Sequence, residues 1–96
     1  MSEYTIRVEL KGDPTYQDYE KLHAQMASLG FLRFVTGVNA NNEQAKFDLP
    51  TALYYGQSDK AASIVRDNVT AKAQTVQSAI RVFVAQTIDW AYNDTK

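Results

Sequence analysis

An α+β fold, with one antiparallel sheet and helices on a single face, is what these 96 residues predict. Three observations carry that expectation. Period-two apolarity near both ends of the chain marks strands, and two stretches with apolar residues at spacings of three and four mark helices. Between them, the Asn- and Gly-rich segment from Gly37 to Glu43 marks a hairpin, because these residues tolerate the positive φ values of tight turns.

The first strand is the clearest element. Tyr4, Ile6, Val8 and Leu10 alternate with Thr5, Arg7, Glu9 and Lys11, so one face enters a core and the other meets solvent or a partner. Gly12-Asp13-Pro14-Thr15 stops the strand and starts a helix. Asp13 can cap the orphan N–H groups, Pro14 suits the first helical position, and Thr15 is an alternative cap. Tyr16, Tyr19, Leu22, Met26 and Leu29 form the buried stripe of that helix, and Gly30 supplies a left-handed exit. His23 sits beside Leu22 at the edge of the stripe. A partly covered imidazole at the helix boundary is the plain reading, and a catalytic acid or base the sharper one.

Phe31 to Val38 is predicted as a second strand with apolar residues on both sides, which suits burial on both faces or an edge that meets another subunit. The third strand runs from Ala45 to Tyr55. Ala45, Phe47 and Leu49 alternate with Lys46 and Asp48 until Pro50, which cannot donate a ladder hydrogen bond. A bulge or kink at Pro50-Thr51 is therefore expected, flipping the inward set from Phe47 and Leu49 to Ala52 and Tyr54. Ser58, as cap, opens a second helix with Ala61, Ile64, Val65, Val69, Ala73 and Val76 on its buried side. Ile80, Val82 and Val84 make a fourth strand, followed by a short aromatic tail over residues 88–96 that either folds back over the core edge or docks on a neighbour.

The resulting order, β-α-β-β-α-β, matches the split βαβ pattern of ferredoxin-like domains. Right-handed crossovers place the strands as 4-1-3-2 in a four-stranded sheet, with both helices on one face. The chain reads as a single domain over residues 1–96, without repeats or linkers.

Composition narrows the chemistry. A net charge of −1 gives no general attraction to nucleic acid or anionic lipid, so such binding needs a local patch. Without cysteine there is no disulfide framework, thiolate zinc site or cysteine nucleophile, and a single His leaves no His pair for proton relay. No cofactor is expected, and a carboxylate site for magnesium is the one metal site left open. The start of the chain lacks a basic segment leading into an apolar one, and no apolar run is long enough to span a bilayer. A cytoplasmic location is expected.

In the predicted topology the open face collects one cation from each strand: Arg81, Arg7, Lys46 and Arg33. With Phe83 they could form a nucleic-acid surface, in which guanidinium groups hold phosphate and the ring stacks a base. Alternatively, Glu9 and Asp48 pair with the cations across strands and the face is simply solvated. Glu9 and Asp13 are candidates for a metal-assisted phosphodiester site, although capping by itself accounts for Asp13. Trp90 and Tyr92 are the candidate partner interface.

The strand Tyr4-Thr5-Ile6-Arg7-Val8-Glu9-Leu10, the helix carrying Asp18-Tyr19-Glu20-Lys21-Leu22-His23 and Met26, Gly30-Phe31, and Leu49-Pro50-Thr51-Ala52 followed by Tyr54 resemble the GhoS family of small bacterial proteins. That resemblance implies a ferredoxin-like antitoxin of a type V toxin-antitoxin system, an endoribonuclease acting on the messenger of a membrane toxin. It also implies a fold similar to the small CRISPR-associated adaptation nucleases. Those nucleases place a carboxylate at the end of the first strand, where this chain offers Glu9 or, after Gly12, Asp13. Candidate catalytic residues are thus Glu9, Asp13 and His23. The leading expectation is a homodimeric RNA-binding or RNA-cleaving protein. The alternative is a non-enzymatic interaction module, such as a phage or mobile-element inhibitor or a toxin-neutralising partner, using the second strand's edge and the Trp90 tail.

Overall fold

The computed structural model describes residues 1–95. Seven elements follow in order: β1 (Ser2–Leu10), α1 (Tyr16–Ser28), β2 (Phe34–Val38), β3 (Gln44–Asp48), β4 (Leu53–Ser58), α2 (Ala62–Ala73) and β5 (Ile80–Gln86). Residue 96, the end of the predicted aromatic tail, lies outside the described residues. The α+β class and the packing of both helices against the sheet agree with the sequence. The single four-stranded sheet of order 4-1-3-2 does not form.

Instead there are two sheets, a three-stranded one of order β4-β1-β5 and a two-stranded hairpin of β2 and β3. The cause lies at Pro50. The segment predicted as one strand from Ala45 to Tyr55 breaks there into β3 and β4, joined by a turn in which Leu53 N donates to Pro50 O at 3.2 Å. Pro50 has no N–H for a ladder, and Ala52 takes a φ of 63°, a left-handed conformation that no continuous strand accommodates. Ala52 and Tyr54 do become the inward residues, at 6% and 0% exposure, but a turn makes the switch rather than a bulge.

Little remains of the pairing predicted between the second strand and the segment after Pro50. Leu32 bridges to Tyr55, exchanging hydrogen bonds of 2.9 and 2.8 Å, whereas Leu49 N, donating to Arg33 O at 2.7 Å, extends the β2–β3 register. The second strand is therefore shorter than the predicted Phe31 to Val38.

The core lies between the helices and one face of the three-stranded sheet. β1 contributes Tyr4, Ile6, Val8 and Leu10, α1 contributes Leu22 and Met26, and α2 contributes Val65, Val69 and Ala73, with Tyr54 from β4 at the centre. Each large aliphatic side chain so buried contributes roughly 1.5–3 kcal/mol of transfer free energy. Three predicted stripe members stay outside: Tyr16 is 79% exposed, Ile64 is 45% exposed, and Ala61 is exposed as well.

Helix starts differ from expectation in an instructive way. Thr15, not Asp13, caps α1: its Oγ1 accepts from Asp18 N at 3.2 Å, and its N donates to Asp18 Oδ2 at 2.9 Å. This reciprocal box satisfies two otherwise orphaned donors. Asp13 precedes it at a φ of 56°, in the loop. Gly30 ends α1 at a φ of 88°, as the sequence predicts. At α2 the cap position is Ala61, which has no side-chain oxygen to offer, while Ser58 ends β4 and its Oγ accepts from Lys60 N.

The second face of the sheet is only half open. Thr5, Leu53 and Tyr55 point away from the helices and share a small cavity with Val35 and Leu49 of the hairpin and with Trp90 of the tail. Val35 is 4% exposed, although it is no part of the main core. The hairpin and tail thus roof the β4 side, leaving the β5 side of this face uncovered.

Candidate nucleic-acid interface

Strand alternation determines what the uncovered part displays. β1 and β5 pair antiparallel with Arg7 opposite Phe83 and Glu9 opposite Arg81, so these four side chains project from the same face. They line a shallow hollow of about 250 Å³. Arg81 Nη1 lies 2.9 Å from Glu9 Oε1, an exposed cross-strand ion pair worth about 0–1 kcal/mol. Arg7 makes no ion pair among the described residues. Phe83 is 66% exposed, which places an aromatic ring in water beside an unpaired guanidinium.

Arg33 and Lys46, expected on this face, lie elsewhere. They line a cleft of about 580 Å³ between α1 and the hairpin, together with His23, Glu20 and Asp48. The turn at Pro50 is responsible, since it carries β3 and its lysine out of the main sheet. Lys46 Nζ sits 4.5 Å from the centre of the Phe34 ring, a cation–π contact that replaces pairing with a carboxylate. Among the described residues neither Arg33 nor Lys46 makes an ion pair. The cations predicted as one patch are thus divided between the sheet face and the cleft.

His23 has a partner that its sequence neighbours do not reveal. Its Nδ1 lies 2.7 Å from the hydroxyl of Tyr54, which is fully buried on β4. The ring centroids are 5.7 Å apart. Partial burial, reinforced by the nearby Arg33 guanidinium, lowers the His23 pKa below its ordinary value of 6.5, against a smaller opposing pull from Glu20. Burial likewise raises the Tyr54 phenol well above its ordinary value. At neutral pH this couple is an uncharged imidazole bonded to a neutral phenol, beside two cations. The only sequence signal for it was the inward position of Tyr54 after Pro50.

The remaining candidates are dispersed. Glu9 is occupied by Arg81, and Asp13 sits in the loop before α1. Among the described residues no group of three or more His, Asp or Glu side chains converges as a metal site would require. No helix of the described residues is long and apolar enough to cross a membrane. Trp90 and Tyr92 pack on the chain's own hairpin, with ring centroids 6.4 and 5.0 Å from that of Phe47. Gly37 makes room for this, since a Cβ there would stand 3.2 Å from the Trp90 ring.

No protein-family model matches the chain, and no curated protein matches it. The resemblance to GhoS-type proteins therefore rests on the residues quoted for it.

Proposed function

We propose that the protein binds single-stranded RNA on the uncovered half of its sheet, as a small regulator of the kind the GhoS-like resemblance implies. The observation that carries this reading is the exposed Phe83 ring standing directly across from Arg7, which has no ion-pair partner among the described residues. An exposed ring on a sheet stacks a base at little conformational cost, and a free guanidinium beside it holds the adjoining phosphate. Arg81 is held in place by Glu9 and frames the same hollow.

The test is fluorescence anisotropy with a labelled, mixed-sequence single-stranded RNA at several salt concentrations. Salt-sensitive binding is expected, with Phe83→Ala costing about 1–3 kcal/mol, the usual worth of one base stack. Arg7→Ala should weaken binding and flatten the salt slope. Binding unchanged in both variants, or none at low salt, overturns the reading.

Cleavage is a second reading, favoured by the neutral His23 in the cleft with Arg33 and Lys46. In the tautomer whose Nδ1–H donates to the Tyr54 oxygen, Nε2 is the unprotonated nitrogen that takes the proton of a ribose 2′-hydroxyl. The 2′-oxygen then bonds to phosphorus as the bond to the 5′-oxygen breaks, the leaving oxygen takes a proton from water, and the two cations hold the phosphate. Incubation of wild type and His23→Ala with cellular RNA, with and without magnesium, separates the readings. Cleavage lost in His23→Ala supports the cleft, and equal cleavage by both proteins removes it.

A further inference from the structure

The three-stranded sheet ends on one side in a strand that nothing covers. On the β4 side, Leu32 occupies the edge by its two-way bridge to Tyr55. On the β5 side, no backbone hydrogen bond from another segment reaches Ile80, Val82, Val84 or Gln86 among the described residues. Apart from the charge of Arg81, which is paired with Glu9, β5 carries none of the devices that normally guard an edge. It has no proline, no lysine and no inward-facing charge, and its register with β1 runs without a bulge from Gln86 to Ile80.

Strand parity shows which backbone groups are free. Lys11 N donates to Ala79 O, and Thr87 N donates to Glu3 O. These two contacts lie at the ends of an uninterrupted register, so odd-numbered residues of β5 turn their N–H and C=O toward β1. The even-numbered residues Ile80, Val82, Val84 and Gln86 turn theirs outward.

We propose that this edge pairs with the same edge of a second copy of the chain, antiparallel about a two-fold axis at Phe83. That register sets Val82 against Val84 of the second copy and Ile80 against Gln86, so every outward-turned residue exchanges hydrogen bonds. A shift by two residues in either direction leaves some of them unpaired. The side chains agree with the register. Phe83 meets its own symmetry mate in a non-hydrogen-bonded pair, where side chains approach most closely, and two exposed rings cover one another. Arg81 faces Ala85 of the second copy, so no like charges oppose each other across the axis.

The partner is a second copy because the strand is complementary to itself in shape, hydrogen bonding and charge. Trp90, which the sequence suggested for a partner contact, is already seated on the chain's own hairpin, and the edge that β2 keeps beyond β3 is only five residues long. The assembly is a six-stranded sheet in which the two uncovered faces join, with an Arg7 on either side of the Phe83 pair. The inference shares Phe83 with the RNA reading, and the two are told apart because the dimer is tested without nucleic acid.

The natural chain has no cysteine, so single introduced thiols report the register directly. Wild type should show twice the mass of one chain by light scattering, and Phe83→Asp, which places like charges on the axis, should show the mass of one chain while keeping its circular dichroism. Under mild oxidation Phe83→Cys should form a covalent dimer, because directly opposed residues bring their Cβ atoms near disulfide range. Arg81→Cys, displaced from its own symmetry mate along the strand, should remain uncross-linked. A monomeric wild type overturns the proposal. So does a dimer in which Arg81→Cys cross-links as readily as Phe83→Cys, or one that survives Phe83→Asp.

Discussion

The imidazole Nδ1 of His23, on the first helix, lies 2.7 Å from the Tyr54 hydroxyl, on the strand that follows the Pro50 turn. The bond ties the two elements together across the edge of the core and links the fold to one titration. His23 has a pKa lowered mainly by burial, so the folded state disfavours its protonation. Its contribution to stability is complete above the unfolded-state value of about 6.5 and is lost as pH falls through the lower folded value. Urea midpoints of wild type and His23→Gln, followed from pH 8 downward, should therefore converge below about pH 6.5. Tyr54→Phe, which leaves Nδ1 without its partner, should cost about 1 kcal/mol at neutral pH.

The capping box at Thr15 separates two residues that look equivalent in sequence. Thr15→Ala removes the acceptor for Asp18 N and should destabilise the protein by about 1 kcal/mol. Asp13→Gly removes no cap and relieves a side chain held at positive φ, so thermal denaturation should show an unchanged or slightly higher midpoint.

Gly56 is the most tightly enclosed of the four glycines. A Cβ there would strike the backbone carbonyl of Gly30 and stand 2.7 Å from the Phe31 ring. Backbone cannot move aside as a flexible side chain can. Gly56→Ala should cost about 1–3 kcal/mol in chemical denaturation, the range for overpacking.

Trp90 is the one tryptophan in the chain, so its fluorescence reports the tail alone. Its contacts with Phe47 and Gly37 leave it 38% exposed. Emission should lie blue of free tryptophan in wild type and move red in Phe47→Ala, as the tail loses its seat. Equal spectra would show that the tail does not rest on the hairpin.

Much of the fold was legible because its periodicities are strong and local. Alternation in β1 and β5, the Leu22–Met26 spacing and the Gly30 exit depend on near neighbours, and each appears where the sequence places it. The division into two sheets was not legible. Pro50 announced a discontinuity, but whether one strand bends or two strands part depends on Ala52 entering the left-handed region, which its residue type does not favour. The same event decided the site. Arg7, Arg81 and Phe83 share a face because β1 and β5 are regular, whereas Lys46 and Arg33 left it with the hairpin. The His23–Tyr54 contact joins residues 31 positions apart and has no local signature.

The turn at Pro50 also has a consequence for how the molecule opens. Because β3 ends there and, among the described residues, only the Leu32–Tyr55 bridge joins the two sheets, the hairpin and the aromatic tail lean on the main sheet without being woven into it. Native-state hydrogen exchange should resolve two cooperative units: amides of Val35 and Phe47 exchanging through a partial opening, and those of Ile6 and Val8 only on global unfolding. The roof over half of the sheet is thus the part of the protein that can lift while its floor stays folded.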